Sequence, residues 1–131
     1  MKWTLLFMAP IMWSTIISAT PHQEIELSSV RLFSIGFNGF VARKMPQQLI
    51  YEKALNRKNA IFLFEIVMES DTSTPESKAY AACGLWANKE AGKIKLKEKY
   101  NDLNVTVLNG DILRQETLGK IIKNIISNGC K

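Results

Sequence analysis

Four carboxylates are the side chains of this sequence that could carry out a reaction. Glu65 and Glu69 are one helical turn apart, and Glu52 and Asp111 stand alone in the sequence. Two carboxyl groups can hydrolyse a glycosidic bond, one as the acid and the other as base or nucleophile. On a helix, however, Glu65 and Glu69 would share the side opposite an apolar stripe, which is typical of a solvated surface. A small envelope hydrolase using Glu52 or Asp111 is therefore the alternative interpretation, and no residue is assigned as catalytic.

The sequence is poor in the residues that nucleophilic and metal chemistry require. His22 is the only histidine, and it is expected near a mobile N-terminus. A zinc site needs about four ligands in close array, and two distant cysteines with one histidine do not supply them. The sequence also contains neither a Gly-x-Ser-x-Gly turn nor a phosphate-binding glycine loop. We therefore predict no metal site and no cofactor, and we expect binding rather than catalysis.

Cys83 and Cys130 are the two cysteines, 47 residues apart. An oxidising compartment would permit a disulfide between them. The chain-entropy model gives a closed loop of this length roughly 4 kcal/mol of stabilisation. In the alternative interpretation, Cys83 is a small buried side chain and Cys130 is a free thiol near a frayed C-terminus. The sequence leaves both interpretations open.

An irregular glycine-rich stretch is the candidate binding segment. Phe37 and Phe40 flank Asn38 and Gly39, and Gly36 precedes them. Two phenylalanines between glycines are not explained by the packing period of a helix or a strand. We interpret this segment as a buried turn. A binding loop formed by Phe37, Asn38, Gly39 and Phe40 is the alternative.

The first nineteen residues have the layout of a secretory signal peptide. Lys2 gives a positive start, an apolar run of about fifteen residues follows, and small residues end it at Ala19. A membrane anchor would need about 20 apolar residues. We therefore expect cleavage after Ala19, a single mature domain over residues 20–131, and a periplasmic or secreted location.

The charge of the sequence bears on its partners. The formal net charge is +5, and 13 of the 17 basic residues are lysines. Lysine is a strongly hydrated point charge, whereas arginine supplies the fork that grips phosphate. The sequence therefore gives no indication of nucleic-acid binding. We expect a protein partner at the cell envelope, with weak contact to an anionic surface as an alternative.

Five helices are predicted to position these residues. Proline begins the first near Pro46, and a wide apolar stripe marks the second over 60–68. Thr74 is a hydroxyl cap followed by Pro75, which begins the third. Leucine and isoleucines at i, i+3, i+4 and i+7 mark the last, from 118 to a Gly129 cap. The fourth helix is predicted over residues 93–100, where alternating lysines would equally fit a strand.

Two short strands complete the prediction. One lies near residues 30–35, and the other covers Val105 to Leu108, closed by an Asn-Gly turn signal. We expect these two strands to pair. The sequence thus predicts a mainly α-helical domain of antiparallel helix hairpins with one pair of short strands.

Three segments resemble a group of small exported bacterial helical proteins without an established activity. They are FSIGFNGF at 33–40, SKAYAACGL at 77–85 and VLNGDI at 107–112, followed by an isoleucine-rich last helix. In that group a cysteine often occupies the position of Asp111. The resemblance therefore implies a disulfide at Cys83 only if Cys130 takes that role.

These observations together predict an exported, non-catalytic binding protein. Its size, its export signal and its lack of reactive groups fit a protein-interaction module at the envelope, of the immunity or inhibitor type. The alternatives are the carboxylate hydrolase and a structural protein that contacts an anionic envelope through its lysines.

Overall fold

The computed structural model describes residues 21–35 and 44–130. Within these ranges the chain forms five α-helices and one two-stranded antiparallel sheet, so the predicted mainly α-helical class is confirmed. The predicted signal peptide lies outside the described residues. The elements are α1 (Pro21–Ser28), α2 (Pro46–Leu55), α3 (Ala60–Glu69), α4 (Pro75–Ala87), β1 (Asn104–Asn109), β2 (Ile112–Thr117) and α5 (Leu118–Asn128).

α4 is the central element of the core. All of its residues from Glu76 to Leu85 are buried, because α3, α5, α1 and β1 contact it from different sides. Apolar residues occupy all faces of the helix after Lys78, which is the pattern of a helix covered all round. Gly84 permits the close approach of α3, since a Cβ there would lie 2.2 Å from the ring of Phe64.

The helix start predicted at Thr74 is confirmed. The Thr74 hydroxyl accepts a hydrogen bond from the Ser77 N–H at 3.1 Å, and Pro75 occupies the first turn. This bond satisfies one of the N–H groups that a helix start leaves without an internal partner. The predicted starts of α2 at Pro46 and α3 at Ala60 are confirmed as well.

α1 is a helix that the sequence analysis does not predict. Its C-terminal end is fixed to the start of α4, where the hydroxyls of Ser77 and Thr74 donate to the carbonyls of Leu27 and Val30, each at 2.5 Å. Leu27 is fully buried. Tertiary contacts at one end therefore hold a short helix whose own apolar pattern is weak.

β1 and β2 form a hairpin that differs from the predicted pairing. The Asn109–Gly110 turn signal is confirmed, with Gly110 at a φ of +62°, and it leads directly into β2. The expected partner segment near 30–35 meets β1 only through a single parallel bridge between Phe33 and Val107. A two-residue turn brings β2 to β1 at little entropic cost. The ladder between β1 and β2 is therefore longer than the contact between β1 and the segment near 30–35.

The α-helix predicted over residues 93–100 is wrong. The chain instead forms two short 3-10 helices, Ala91–Lys93 and Glu98–Tyr100, joined by an extended stretch. Ile94 and Tyr100 are buried while the lysines between them are exposed. An α-helix would place Leu96 and Tyr100 on one face but would turn Ile94 away from the core. The extended stretch lets Ile94 and Leu96 face the same side, as the alternation of lysines and apolar residues indicates.

α5 carries the disulfide at its C-terminal end. Gly129 caps the helix as predicted, with a φ of +77°, and Cys130 is bonded to Cys83 of α4 with their Cα atoms 5.6 Å apart. Of the two interpretations that the sequence leaves open, the structure shows the disulfide. In the described ranges, no α-helix combines the length and the apolar character that crossing a membrane requires.

Candidate protein-binding edge of the hairpin

β1 is hydrogen bonded along both of its edges. One edge pairs with β2. On the other edge, the Phe33 N–H donates to the Thr106 carbonyl at 2.9 Å, and the Leu108 N–H donates to the Phe33 carbonyl at 3.0 Å. The Thr106 N–H donates to the carboxylate of buried Glu76, 3.0 Å away. Consequently, the outward backbone groups of Thr106 and the Leu108 N–H are occupied.

β2 has one edge that no described residue covers. Thr106 and Leu108 direct their bonds away from β2, so their cross-strand partners Gln115 and Leu113 direct theirs away from β1. No described residue is hydrogen bonded to these outward N–H and C=O groups. An edge of this kind is a template for the backbone of another strand.

Apolar side chains accompany this free edge. Ile112 is 69% exposed and Leu113 is 63% exposed, which are the largest exposures among the big apolar residues described. By contrast, Val105 and Val107 of β1 are buried against the core. The hairpin therefore has one strand in the core and one strand in solvent, with apolar surface beside unpaired backbone.

Three charged side chains lie along β2 and the start of α5. Glu116 accepts from Lys120 at 2.7 Å and lies 3.6 Å from the Arg114 guanidinium. The hydrogen bond from Lys120 lowers the pKa of Glu116 below its ordinary value. Glu116 is therefore ionised at neutral pH, and the edge presents a cation and an anion two residues apart.

Lys78 is the most unusual ionisable group in the core. It is only 1% exposed, and its ammonium donates to the carbonyls of Val67, Met68 and Ser70 at 3.1, 2.9 and 2.5 Å. It also lies 4.4 Å from the centre of the Tyr100 ring. Burial lowers the pKa of Lys78 to about 8. These contacts satisfy the last carbonyls of α3, so Lys78 acts as a cap for that helix.

Ser73 and Lys78 resemble a serine–lysine catalytic pair in distance alone. Their Oγ and Nζ atoms are 2.8 Å apart. The Ser73 hydroxyl, however, donates to the Val67 carbonyl at 2.7 Å, and the amine already meets three carbonyls. Both side chains are buried. The pair thus joins the α3–α4 connection to the core and presents no exposed nucleophile.

Glu52, the first of the candidate acids, lies in a half-buried ion pair at the surface. Its carboxylate accepts from Lys44 at 2.7 Å and from Gln48 at 3.2 Å. The hydrogen bond from Lys44 lowers the pKa of Glu52 below its ordinary value. A general acid at neutral pH needs a raised pKa, so this environment favours a permanently ionised surface group.

The other candidate acids lie on different elements. Glu65 pairs with Lys93 at 3.4 Å on the surface of α3, and Glu69 is exposed at the end of that helix. Asp111 is exposed in the turn of the hairpin. Among the described residues, no three histidine, cysteine or acidic side chains are grouped so that they could hold a metal ion.

The segment of Phe37, Asn38, Gly39 and Phe40 lies outside the described residues, so the buried turn and the binding loop both stay predictions. The segment before it is firmly held. The Tyr80 hydroxyl donates to the Ser34 carbonyl at 2.8 Å and accepts from the Ser34 N–H at 2.9 Å.

β2 is the feature that the sequence analysis missed. Its residues show no alternation of buried and exposed side chains, because the whole strand is in solvent or nearly so. The available signal was the Asn109–Gly110 turn, which in a two-residue hairpin predicts a strand on each side.

Comparison of the chain with protein-family models, with curated proteins and with solved structures finds no match.

Proposed function

We propose that this chain is an exported, non-catalytic protein-binding module that docks an extended segment of its partner against β2. The observation that carries the proposal is the outer edge at Leu113 and Gln115, to which no residue of the described ranges is hydrogen bonded. An immunity or inhibitor protein at the cell envelope is the functional class that fits, because such a protein works by occupying its partner.

The chemistry of the edge defines the partner. Outward N–H and C=O groups give affinity through backbone hydrogen bonds, and side chains on alternating faces give specificity. An antiparallel partner strand would meet Arg114 with an acid and Glu116 with a base. Exposed Leu113 and Ile112 would lose contact with water when such a strand binds, which adds a hydrophobic contribution.

Two observations support a location outside the cytoplasm. The Cys83–Cys130 disulfide is of the kind that forms and persists in oxidising compartments. Residues 1–19 have the composition of a signal peptide. Fractionation of source cells and N-terminal sequencing should find a chain beginning at Thr20 outside the cytoplasm. An uncleaved chain inside the cell would contradict the proposal.

Site-specific photo-crosslinking tests the docking strand. A photoreactive residue replaces Leu113 in the full chain, and a control carries it at exposed Lys53 on α2. We expect a partner polypeptide to crosslink at 113 and not at 53. Mass spectrometry identifies the polypeptide, and binding is then reconstituted with the purified partner.

Gln115→Pro with Gln115→Ala forms the matched pair for this test. Proline removes the outward N–H but leaves the β1–β2 ladder intact, because the ladder bonds come from residues 112, 114 and 116. Alanine keeps the N–H. We expect proline to abolish the crosslink and the reconstituted binding, and alanine to preserve both. Equal binding by the two variants would show that β2 is not the docking strand.

A row of lysines favours a second candidate function, contact with an anionic surface. Lys93, Lys95, Lys97 and Lys99 are all exposed in one short stretch. Lys93 and Lys99 are partly neutralised by ion pairs at 3.4 and 2.8 Å. Anionic vesicles should retain the protein at about 0.05 M salt and release it at about 0.5 M, where the Debye length is short. A variant with all four lysines changed to glutamine should not be retained. Equal retention of that variant would remove this candidate.

A further inference from the structure

The geometry of β2 limits how two such strands can pair with each other. Leu113 and Gln115 direct both of their backbone groups outward, and Thr117, the N-cap residue of α5, directs its N–H outward. These residues must therefore face one another across a new antiparallel ladder. A twofold axis can therefore pass through residue 113, 114, 115 or 116. The four registers differ in which side chains of the two copies lie opposite each other.

Charge selects one of the four registers. An axis through Arg114 would oppose two arginines, and an axis through Glu116 would oppose two ionised carboxylates. An axis through Leu113 leaves both charges without an oppositely charged partner. Only the axis through Gln115 places Arg114 of each copy directly opposite Glu116 of the other.

We infer that β2 pairs antiparallel with β2 of a second copy of this chain, about a twofold axis through Gln115. This inference rests on the proposed function, since it names the partner that occupies the docking strand. The two hairpins then form one continuous four-stranded sheet. The interface is isologous, with the same strand contributed by both copies.

Side chains on both faces of the new sheet fit this register. Arg114 and Glu116 project from one face, so the two copies bring these four charges together at the corners of a square, with Lys120 of each copy 2.7 Å from its own Glu116. Every neighbouring pair in that square has opposite signs, because Arg114 already lies 3.6 Å from Glu116 of its own strand. On the other face, exposed Leu113 packs beside Thr117 of the second copy.

The charges on β2 do not protect the edge against this pairing. Edge strands are commonly protected by charges of one sign, which repel an identical strand. Arg114 and Glu116 have opposite signs and lie symmetrically about Gln115, so an identical strand attracts them. The β2 sequence is therefore complementary to itself in reverse.

The size of the contact sets the expected affinity. A pair of six-residue strands buries less than the roughly 1,200 Å² typical of the smallest stable interfaces. We therefore expect a reversible dimer with a dissociation constant in the micromolar range or above.

Sedimentation velocity of the purified, disulfide-bonded full chain tests this directly. We expect wild type and Gln115→Ala to show the same monomer–dimer equilibrium between about 5 and 500 μM, a range that brackets such affinities. Gln115→Pro should weaken dimerisation at least tenfold. A wild type that stays monomeric across this range, or a proline variant that dimerises as well as wild type, would overturn the inference.

A charge exchange tests the register. Arg114→Glu opposes two carboxylates in each homodimer, and Glu116→Arg opposes two guanidinium groups, so each variant alone should dimerise at least tenfold more weakly. An equimolar mixture should restore dimerisation, because the heterodimer pairs each altered residue with an opposite charge. Native mass spectrometry identifies the heterodimer, and circular dichroism with thermal melting confirms that both variants fold. Failure of the mixture to restore dimerisation would show that this register is wrong.

The two proposals fail separately. If the wild type is monomeric and the Leu113 crosslink still depends on the Gln115 N–H, the docking strand stands and the second copy is not its partner. If the purified chain neither dimerises nor crosslinks through β2, the docking strand and the second copy as its occupant are both wrong. A dimer that Gln115→Pro dissociates supports β2 as the docking strand and a second copy as its occupant.

Discussion

The N-terminal half of α4 and the outer edge of β2 differ in whether their polar groups are hydrogen bonded. On α4, Lys78 and Tyr80 are buried, and their side chains are hydrogen bonded to backbone groups of other segments. On β2, the backbone groups of Leu113 and Gln115 have no described protein partner beside exposed apolar surface. Polar groups on α4 therefore stabilise the fold, whereas those on β2 are available for binding. The following predictions separate these two roles.

Loss of the disulfide should give the largest effect on stability. Replacing both Cys83 and Cys130 by alanine opens a loop of 47 residues and should lower the free energy of unfolding by roughly 4 kcal/mol. Urea unfolding followed by circular dichroism measures the change, and wild type under reducing conditions is the control. A loss below about 1 kcal/mol would show that the unfolded chain is not much constrained by the bond.

Replacement of Lys78 should have the next largest effect. Lys78→Met keeps the length of the side chain but leaves the Met68 carbonyl without its side-chain donor, while the Val67 carbonyl keeps the hydrogen bond from Ser73. We expect a loss of up to about 3 kcal/mol, since a buried unsatisfied group costs about 1–3 kcal/mol. The same urea experiment measures it.

Lys99→Met is the matched control, because Lys99 is exposed and also lies near the Tyr100 ring. Its loss should stay within about 0.5 kcal/mol, as expected for a surface site. Equal losses at 78 and 99 would mean that the buried cap contributes no more than a surface lysine does.

Local signals predicted most of the fold. Each of these signals acts over only a few residues. Helix starts at Pro46 and Thr74, the Gly129 cap and the apolar stripe of α5 are all confirmed. The stretch 93–100 was mistaken for an α-helix because lysine favours helices locally, whereas burial of Ile94 depends on the rest of the core.

The candidate site was harder to predict. The edge of β2 is free because no part of the chain that the structure describes pairs with it, and no spacing along the sequence reports this. The burial of Lys78 follows only once α4 is known to be covered all round. Carboxylates are the residue type most able to catalyse a reaction, but Glu52 and Asp111 lie on separate surface elements.

The buried tyrosines should make the protein sensitive to alkali. Desolvation raises the pKa of Tyr51 and of Tyr80 to about 12 from an ordinary value of 10. Between pH 10 and 12 the unfolded chain therefore loses phenolic protons that the folded chain keeps, so the free energy of unfolding falls as the pH rises. Each phenol contributes up to about 2–3 kcal/mol to this fall.

Tyr51→Phe isolates one of the two contributions. In this variant the part of the fall in the free energy of unfolding that the buried phenols cause should be roughly halved. Urea unfolding at several pH values from about 9.5 to 11.5, where ordinary phenols titrate, measures the fall. Lys78 is present in both proteins, so its own titration cancels in the comparison. An unchanged decline would mean that Tyr51 ionises in the folded protein as it does in the unfolded chain.

The smallest effect is expected at the free edge, and two residues of the same hairpin provide the comparison. Leu113→Thr removes exposed apolar surface from β2 and should change the free energy of unfolding by less than about 0.5 kcal/mol. Val105→Thr places a hydroxyl in a fully buried position of β1 and should cost about 1–3 kcal/mol. Urea unfolding at a protein concentration low enough to keep the chain monomeric measures both. A Leu113→Thr loss as large as that of Val105→Thr would mean that Leu113 contributes to the core of the monomer, and the edge of β2 would then no longer be a surface free for binding.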